Sequence, residues 1–192
     1  MCRRLGSGVY EKCQTQKFVQ SEAKKARSAG RKKAPTDYGM QLIEKQKVRF
    51  SYGITEKQLS NYVEKAVHTK GVVVTDKLYE ELETRLDNIV YRLGFANSRA
   101  FARQLVSHGH FTVNGTRTNI PSRKIKIGDK IAVREGSRSS VVFQDFEKKV
   151  KEYTWPKWLK LNPGALEAEV IARPKNEEQF LQFETVLEFY SR

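Results

Sequence analysis

The stretch NSRAFARQLVSHGHFTVNG, residues 97–115, changes its period half-way along. Phe101, Ala102, Leu105 and Val106 recur at helical spacing, and Asn97 or Ser98 stands where a helix N-cap would. Arg99 and Arg103 are four residues apart, so they share one side of that helix. Gly109 ends it. Phe111 and Val113 then alternate with polar neighbours, and Asn114-Gly115 follows, a strong hairpin signal because both turn positions need positive φ. A short helix with cations on one side therefore runs directly into a β-hairpin. Such a unit is a small rigid platform with positive charge on its surface.

Upstream, Leu78, Leu82, Leu86, Ile89, Val90 and Leu93 lie on one helical face that starts near Thr75 and stops at Gly94. Periodicity alone allows one helix or two. The change of charge sign between Glu83 and Arg85 favours a junction there. Before it, Thr55 and Gln58 form a capping box for a helix with the stripe Leu59, Tyr62, Val63, Ala66 and Val67, closed by Gly71. Thr36 is a candidate N-cap for DYGMQLIEKQKVRF. Downstream, Thr116 to Asn119 continues the hairpin, and Ile125, Ile127, Ile131 and Val133 alternate about a Gly128-Asp129 turn, which predicts two more strands. Beyond residue 140 the sequence predicts a helix in FQDFEKKVKEY and loops at 155–159 and 162–164. It also predicts a strand-like apolar run, TVLEFY, that docks back onto the molecule. Trp155 and Trp158 read as anchors of this last segment, and Tyr38, Tyr62 and Tyr91 as packed rings.

The chain has 192 residues and a net charge of +14. Residues 1–50 hold 13 basic and 4 acidic side chains and residues 84–135 hold 10 and 3, while 51–83 hold 4 and 6 and 136–192 hold 9 of each. Two basic blocks separated by near-neutral sequence point to a polyanionic partner. Residues 1–34 read as an extended basic arm that orders against nucleic acid. No apolar stretch approaches the ~18 residues of a membrane span, and the start of the chain lacks a signal-peptide pattern. A soluble, non-secreted protein with no membrane partner is expected. Cys2 and Cys13 are too few for a disulfide framework and supply half a zinc site at best, with His68, His108 and His110 far off in sequence.

Several residue patterns carry candidate chemistry. Arg99 and Arg103 can each grip a phosphate with a planar fork, and Arg117, Arg123, Lys124 and Lys126 extend the patch along hairpin and loop. Gln104, His108 and His110 can donate to phosphate or 2′-hydroxyl groups, though the two histidines equally fit a helix C-cap and a strand filler. Arg31, Lys32 and Lys33 with Lys45, Lys47 and Arg49 form a second cationic region. RNA helices are recognised largely by shape and backbone, which suits a patch of this kind. Arg85-Leu86-Asp87 matches the three-letter catalytic motif of pseudouridine synthases, but it opens a helix, and no adequate catalytic domain follows. There is no phosphate-cradling glycine loop.

The segment from Arg85 to Glu135 resembles the S-four RNA-binding domain. TDYGMQLIEKQKVRFSYGI (36–54), WPKWL (155–159) and LEFYSR (187–192) resemble the flanks of that domain in the small-subunit ribosomal protein family of the same name, here of bacterial type. The resemblance implies an α+β protein without a cofactor. Its basic arm would span 1–35, and its helical domain 36–84 would be completed by about 184–192. Inserted between them would be an RNA-binding domain, 85–183, with the module of two helices and antiparallel strands at 85–135. It implies a non-enzymatic, cytoplasmic constituent of the small subunit that binds ribosomal RNA first, nucleates assembly of the subunit body and contributes to translational accuracy. Its implied partners are small-subunit ribosomal RNA, neighbouring small-subunit proteins and messenger RNA where it enters its channel. Many bacterial relatives carry four zinc-binding tail cysteines, so two here imply a zinc-free variant with a shortened tail. Ala100, Phe101 and Ser107 stand where many relatives have charged or polar residues. Repression of its own messenger is an alternative use of the same basic face, and RNA modification a more distant one.

Overall fold

Thr36 is extended and its hydroxyl accepts from the Gly39 amide at 3.2 Å, which starts α3 (Asp37–Ser51). Thr55 and Gln58 exchange the two bonds of a capping box and start α4 (Glu56–His68). The computed structural model describes residues 2–10, 13–28, 36–144, 146, 153–176 and 180–191. The chain divides into two compact units, residues 1–78 with 176–192 and residues 79–175. The sequence places these divisions at 84/85 and 183/184.

In the first unit α3 packs against α1 (Cys2–Leu5) and the 3-10 turn Ser7–Val9, and α2 (Gln16–Ser28) follows. The described part of the expected extended arm is therefore largely helical, and Leu5 and Val9 are buried in its first turns. Cys13 is buried and disulfide-bonded, a single cross-link rather than a framework. The run TVLEFY is not a strand. It belongs to the helix Phe183–Tyr190, which buries Phe183 and Val186, three residues apart, and packs against α3 and α4. Leu59, Val63 and Ala66 of the predicted stripe are buried, whereas Val67, near the end of α4, is exposed.

α5 (Val74–Glu83) and α6 (Leu86–Arg92) are separate helices. The break falls at Thr84-Arg85, because Arg85 turns extended and bridges to Lys124. α7 (Arg99–Ser107) is capped by Ser98, whose hydroxyl accepts from the Phe101 amide. Next come β1 (Phe111–Val113), β2 (Thr116–Thr118), β3 (Lys130–Val133), the short helices α8 (Glu135–Arg138) and α9 (Val141–Gln144), then β4 (Leu159–Asn162) and β5 (Glu167–Val170). The C-terminal helix above is α10. The strands form one antiparallel sheet in the order β2-β1-β3-β5-β4, with Phe111 opposite Thr118 on one side and Val133 on the other. Asn114 and Gly115 take φ of 51° and 79°, as the hairpin turn requires.

The expected strand at 125–127 does not form. Ile125 is buried, but Ile127 is exposed, and β3 pairs with β1 and β5 instead of folding back on this segment. Asp129 explains the turn that replaces it, since its carboxylate accepts from the Lys126 amide and from Asn114 Nδ2, both at 2.8 Å. One core joins α6 and α7 to the sheet, with Phe95 stacked on Phe146 at 4.2 Å and Phe111 edge-on to Phe95. Trp158 is buried in this core and Trp155 packs on its margin. Of FQDFEKKVKEY, Phe143, Gln144 and Phe146 are helical and Tyr153 is not, and the remaining residues lie outside the described set.

Candidate nucleic-acid interface

The second unit builds its cationic face on buried acids. Glu83, at the end of α5, is fully buried. Its carboxylate accepts from Arg92 Nε and Nη2 at 2.9 and 2.8 Å and from Asn88 Nδ2 at 2.9 Å. The Asn88 amide is thereby oriented, and its oxygen accepts from Arg99 Nε at 2.8 Å. The Arg99 guanidinium also lies over the Tyr91 ring, 4.5 Å from its centroid. Four residues on from Glu83, across the break at Thr84-Arg85, Asp87 is clamped between two arginines. Arg85 donates Nε to Oδ1 at 3.0 Å and Nη2 to Oδ2 at 2.7 Å, while Arg103 donates Nε and Nη2 to Oδ2 at 3.0 and 2.8 Å. The Asn88 amide N–H adds a bond to Oδ1 at 2.9 Å. A buried carboxylate is stable only when its lone pairs are filled in this way.

The start of α6 is tied to the loop at 121–125. The Leu86 and Asp87 amides donate to the carbonyls of Arg123 and Pro121, and the Ile125 amide donates to Thr84. These bonds satisfy helix N–H groups that have no partner within the helix. Lys124, expected to extend the patch, is ion-paired with Glu81 and stands 3.7 Å from Glu80, so its charge is already matched. Arg123 is half-buried, and Lys126 and Gln104 are exposed.

At the far end of α7 a second cluster forms around the His-Gly-His turn. Gly109 has φ of 71°, and a Cβ there would meet Arg117 Nε at 2.5 Å, so only glycine lets that guanidinium lie across the turn. Arg117 Nη2 donates to the His108 carbonyl at 3.4 Å. The His110 ring pairs with the buried Ser137 hydroxyl at 3.0 Å and meets Phe143 edge-on, while His108 is exposed with its ring 6.1 Å away. Burial, and then the charges of His108, Arg134 and Arg117, push His110 below its ordinary value of 6.5. Arg134 belongs to this cluster and escapes the sequence reading. Its position just past the alternating run that ends at Val133 is the only local sign of it.

Of the second cationic region expected in 31–49, the described cations are paired within the fold. Arg31, Lys32 and Lys33 lie outside the described residues. Lys45 is buried, bonds Glu56 at 2.7 Å and sits 4.2 Å above the Phe189 ring, so its charge is matched within the fold. Lys47 pairs with Glu44 at 2.6 Å, and Arg49 reaches Glu56 at 3.4 Å while stacking on Phe50. Tyr190 donates its hydroxyl to Glu56 at 2.7 Å, and burial together with that carboxylate pushes the phenol well above its ordinary value. Among the described residues no group of three or more His, Cys, Asp or Glu side chains is placed to hold a metal, and no helix is long and apolar enough to cross a membrane.

A helix pair with arginines fixed on buried acids, followed by a basic hairpin, is the arrangement of an RNA-binding module. Residues 84–131 match the family model of the S4 domain, and residues 1–83 match that of the ribosomal protein S4/S9 N-terminal domain. The small ribosomal subunit protein uS4 of Syntrophomonas wolfei is 43% identical over 199 residues, covering 100% of this chain and 95% of the relative. Its counterpart in Roseiflexus sp. is 45% identical over 196 residues, with 99% and 94% covered, and that of Acetivibrio thermocellus 43% identical over 201 residues, with 100% and 95% covered. The chain belongs to the uS4 family of small-ribosomal-subunit proteins.

Proposed function

We propose that this chain is a structural constituent of the small ribosomal subunit that binds ribosomal RNA before most other proteins and holds a multi-helix junction in shape. The observation that supports this most is the fixing of two arginines on α7, Arg99 by Asn88, whose amide the buried Glu83 orients, and Arg103 by the buried Asp87. Phosphate contacts of this kind position a protein on RNA and release counterions, so binding is strong and salt-dependent. In this reading the face nucleates assembly of the subunit body, neighbouring proteins of the subunit cover other surfaces, and the chain contributes to decoding accuracy. Messenger RNA passes close by where it enters its channel.

Catalysis has no part in this reading. Asp87, the acid of the Arg-Leu-Asp triplet, is buried and accepts from two arginines, an arrangement that withholds it from any substrate. The test is a filter-binding titration at several salt concentrations. One probe is a small-subunit ribosomal RNA junction fragment and the other a length-matched unrelated RNA. Junction-selective binding, with Arg103→Ala lowering the salt slope by about one ion, supports the reading. Equal affinity for both RNAs, or an Arg103→Ala chain that binds like the native one, sinks it.

A further inference from the structure

We propose that Asp87 is a positioning residue for RNA recognition, an acid that strengthens binding to a polyanion by fixing the orientation of Arg103. This rests on the reading of the α7 face given above.

The geometry sets the two arginines of Asp87 apart. The Arg85 side chain is 3% exposed and completes the acid's shell from inside. The Arg103 side chain is 35% exposed, while that of Asp87 is 4% exposed. Five donors converge on one carboxylate: Arg85 Nε, Arg85 Nη2, Arg103 Nε, Arg103 Nη2 and the Asn88 amide. With both oxygens filled and the backbone of α6 held by the loop at 121–125, Asp87 is an anchored point. Arg103 rises from α7, the neighbouring helix, and two of its N–H groups engage Oδ2 of this anchor. The pairing removes most rotamer freedom from a long flexible side chain before RNA arrives.

Charge alone predicts the opposite sign. Removing an acid from an RNA-binding face raises the positive potential, and binding to any RNA should tighten. A positioning role predicts that Asp87→Asn weakens binding to the junction RNA, by roughly three- to tenfold, because Arg103 must then be ordered at the moment of binding. Affinity for unrelated RNA, which needs charge but not orientation, should hold or rise.

The experiment is a double-mutant cycle on the full chain, read by filter binding to the junction fragment and to unrelated RNA, with a thermal melt of each variant. The set is native, Asp87→Asn, Arg103→Ala and the double variant. The expected result is weaker junction binding for Asp87→Asn and no further loss on adding it to Arg103→Ala, because the acid acts through that arginine. A merely structural role would give losses that add, and would lower affinity for both RNAs together. Either additivity, or an Asp87→Asn chain that binds the junction as well as or better than the native one, overturns the proposal. Should Asp87→Asn fail to fold, Arg103→Lys decides. It keeps the charge and lacks the fork, so junction affinity within about twofold of Arg103→Ala supports positioning, and native-like affinity refutes it. Failure of the broader reading looks different, since Arg103→Ala itself would then leave binding unchanged.

Discussion

In the first unit the cation of the central ion pair is inside and the acid outside: the Lys45 side chain is 8% exposed and that of Glu56 42%. In the second unit the order is reversed, with Glu83 and Asp87 at 0% and 4% and their partners Arg99 and Arg103 at 19% and 35%. Both regions read as basic in the sequence, yet their charges serve different ends. Lys45 is matched by Glu56, lies over Phe189 and stabilises the seam between α3, α4 and α10. Arg99 and Arg103 are held from beneath and keep part of the side chain at the surface. The direction of burial, and not the count of lysines and arginines, separates a cation enclosed by the fold from one held at its surface.

The comparison breaks most sharply at Glu83. Glu83→Ala removes the carboxylate that Arg92 Nε and Nη2 pair with and leaves Asn88 Nδ2 with the residue-83 carbonyl as acceptor, which costs about 3–5 kcal/mol for a charged partner of this kind. Both tryptophans, Trp155 and Trp158, lie in the second unit, so urea unfolding followed by tryptophan fluorescence reports that unit directly. A loss below about 1 kcal/mol would show that the network under α7 is dispensable. Lys45→Met is the matching experiment in the first unit. Its acid is half-exposed and keeps Arg49 and Tyr190, so the expected loss is smaller, about 1–2 kcal/mol by circular dichroism, with RNA affinity unchanged within about twofold. A tenfold fall in RNA affinity in a folded Lys45→Met chain would return Lys45 to the interface.

What could be read in advance was local. Thr55 with Gln58, Ser98 and Asn114-Gly115 decide their conformations within three or four residues, and each stands where the sequence placed it. What could not be read depended on distant partners. TVLEFY is rich in β-branched and aromatic residues, and only its packing on α3 and α4 makes it a helix. β4 and β5 are four residues each and exist by pairing with each other and with β3. Lys45 looks like any basic residue until Glu56, eleven positions on, and Tyr190, 134 residues from that glutamate, close around it. The arginines of α7 were legible as a cationic side, but the acids beneath them were not, because Asp87 and Arg103 are 16 residues apart and on different helices. The pairing of Lys124 was hidden for the same reason, its partner Glu81 being 43 residues away.

Acid should dissolve the first of the two clusters in a defined window. Burial raises the Glu56 carboxyl, but hydrogen bonds from Lys45, Tyr190 and Arg49 and the nearby charge of Lys45 outweigh it and hold the group below its ordinary value of 4.5. A depressed carboxyl contributes stability that is complete above that value and is lost as pH falls through the folded-state value. The stability gap between the native chain and Glu56→Gln should therefore be present at about pH 7 and close below about pH 4. A gap that persisted undiminished at about pH 3 would assign the effect of Glu56 to packing instead of charge.

The smallest expected effect sharpens the comparison at the second cluster of the cationic face. His110 sits among Arg117, Arg134 and His108, and burial with those charges lowers it below 6.5, so at neutral pH the ring is uncharged in the free protein. Its unfolded form takes up a proton first as pH falls, and the isolated chain should lose a little stability from about pH 6.5 downward. A phosphate laid against Arg117 and Arg134 would reverse the local repulsion, so binding and protonation of His110 should help each other. RNA affinity is then expected to rise by about two- to threefold between roughly pH 7.5 and 5.5, while the free protein grows slightly less stable over the same range. His110→Gln should flatten the affinity profile, and His108→Gln, made in parallel, separates the two rings. An affinity that fell with pH in step with stability would place the His-Gly-His turn outside the contact and confine RNA to the face that Asp87 and Glu83 support.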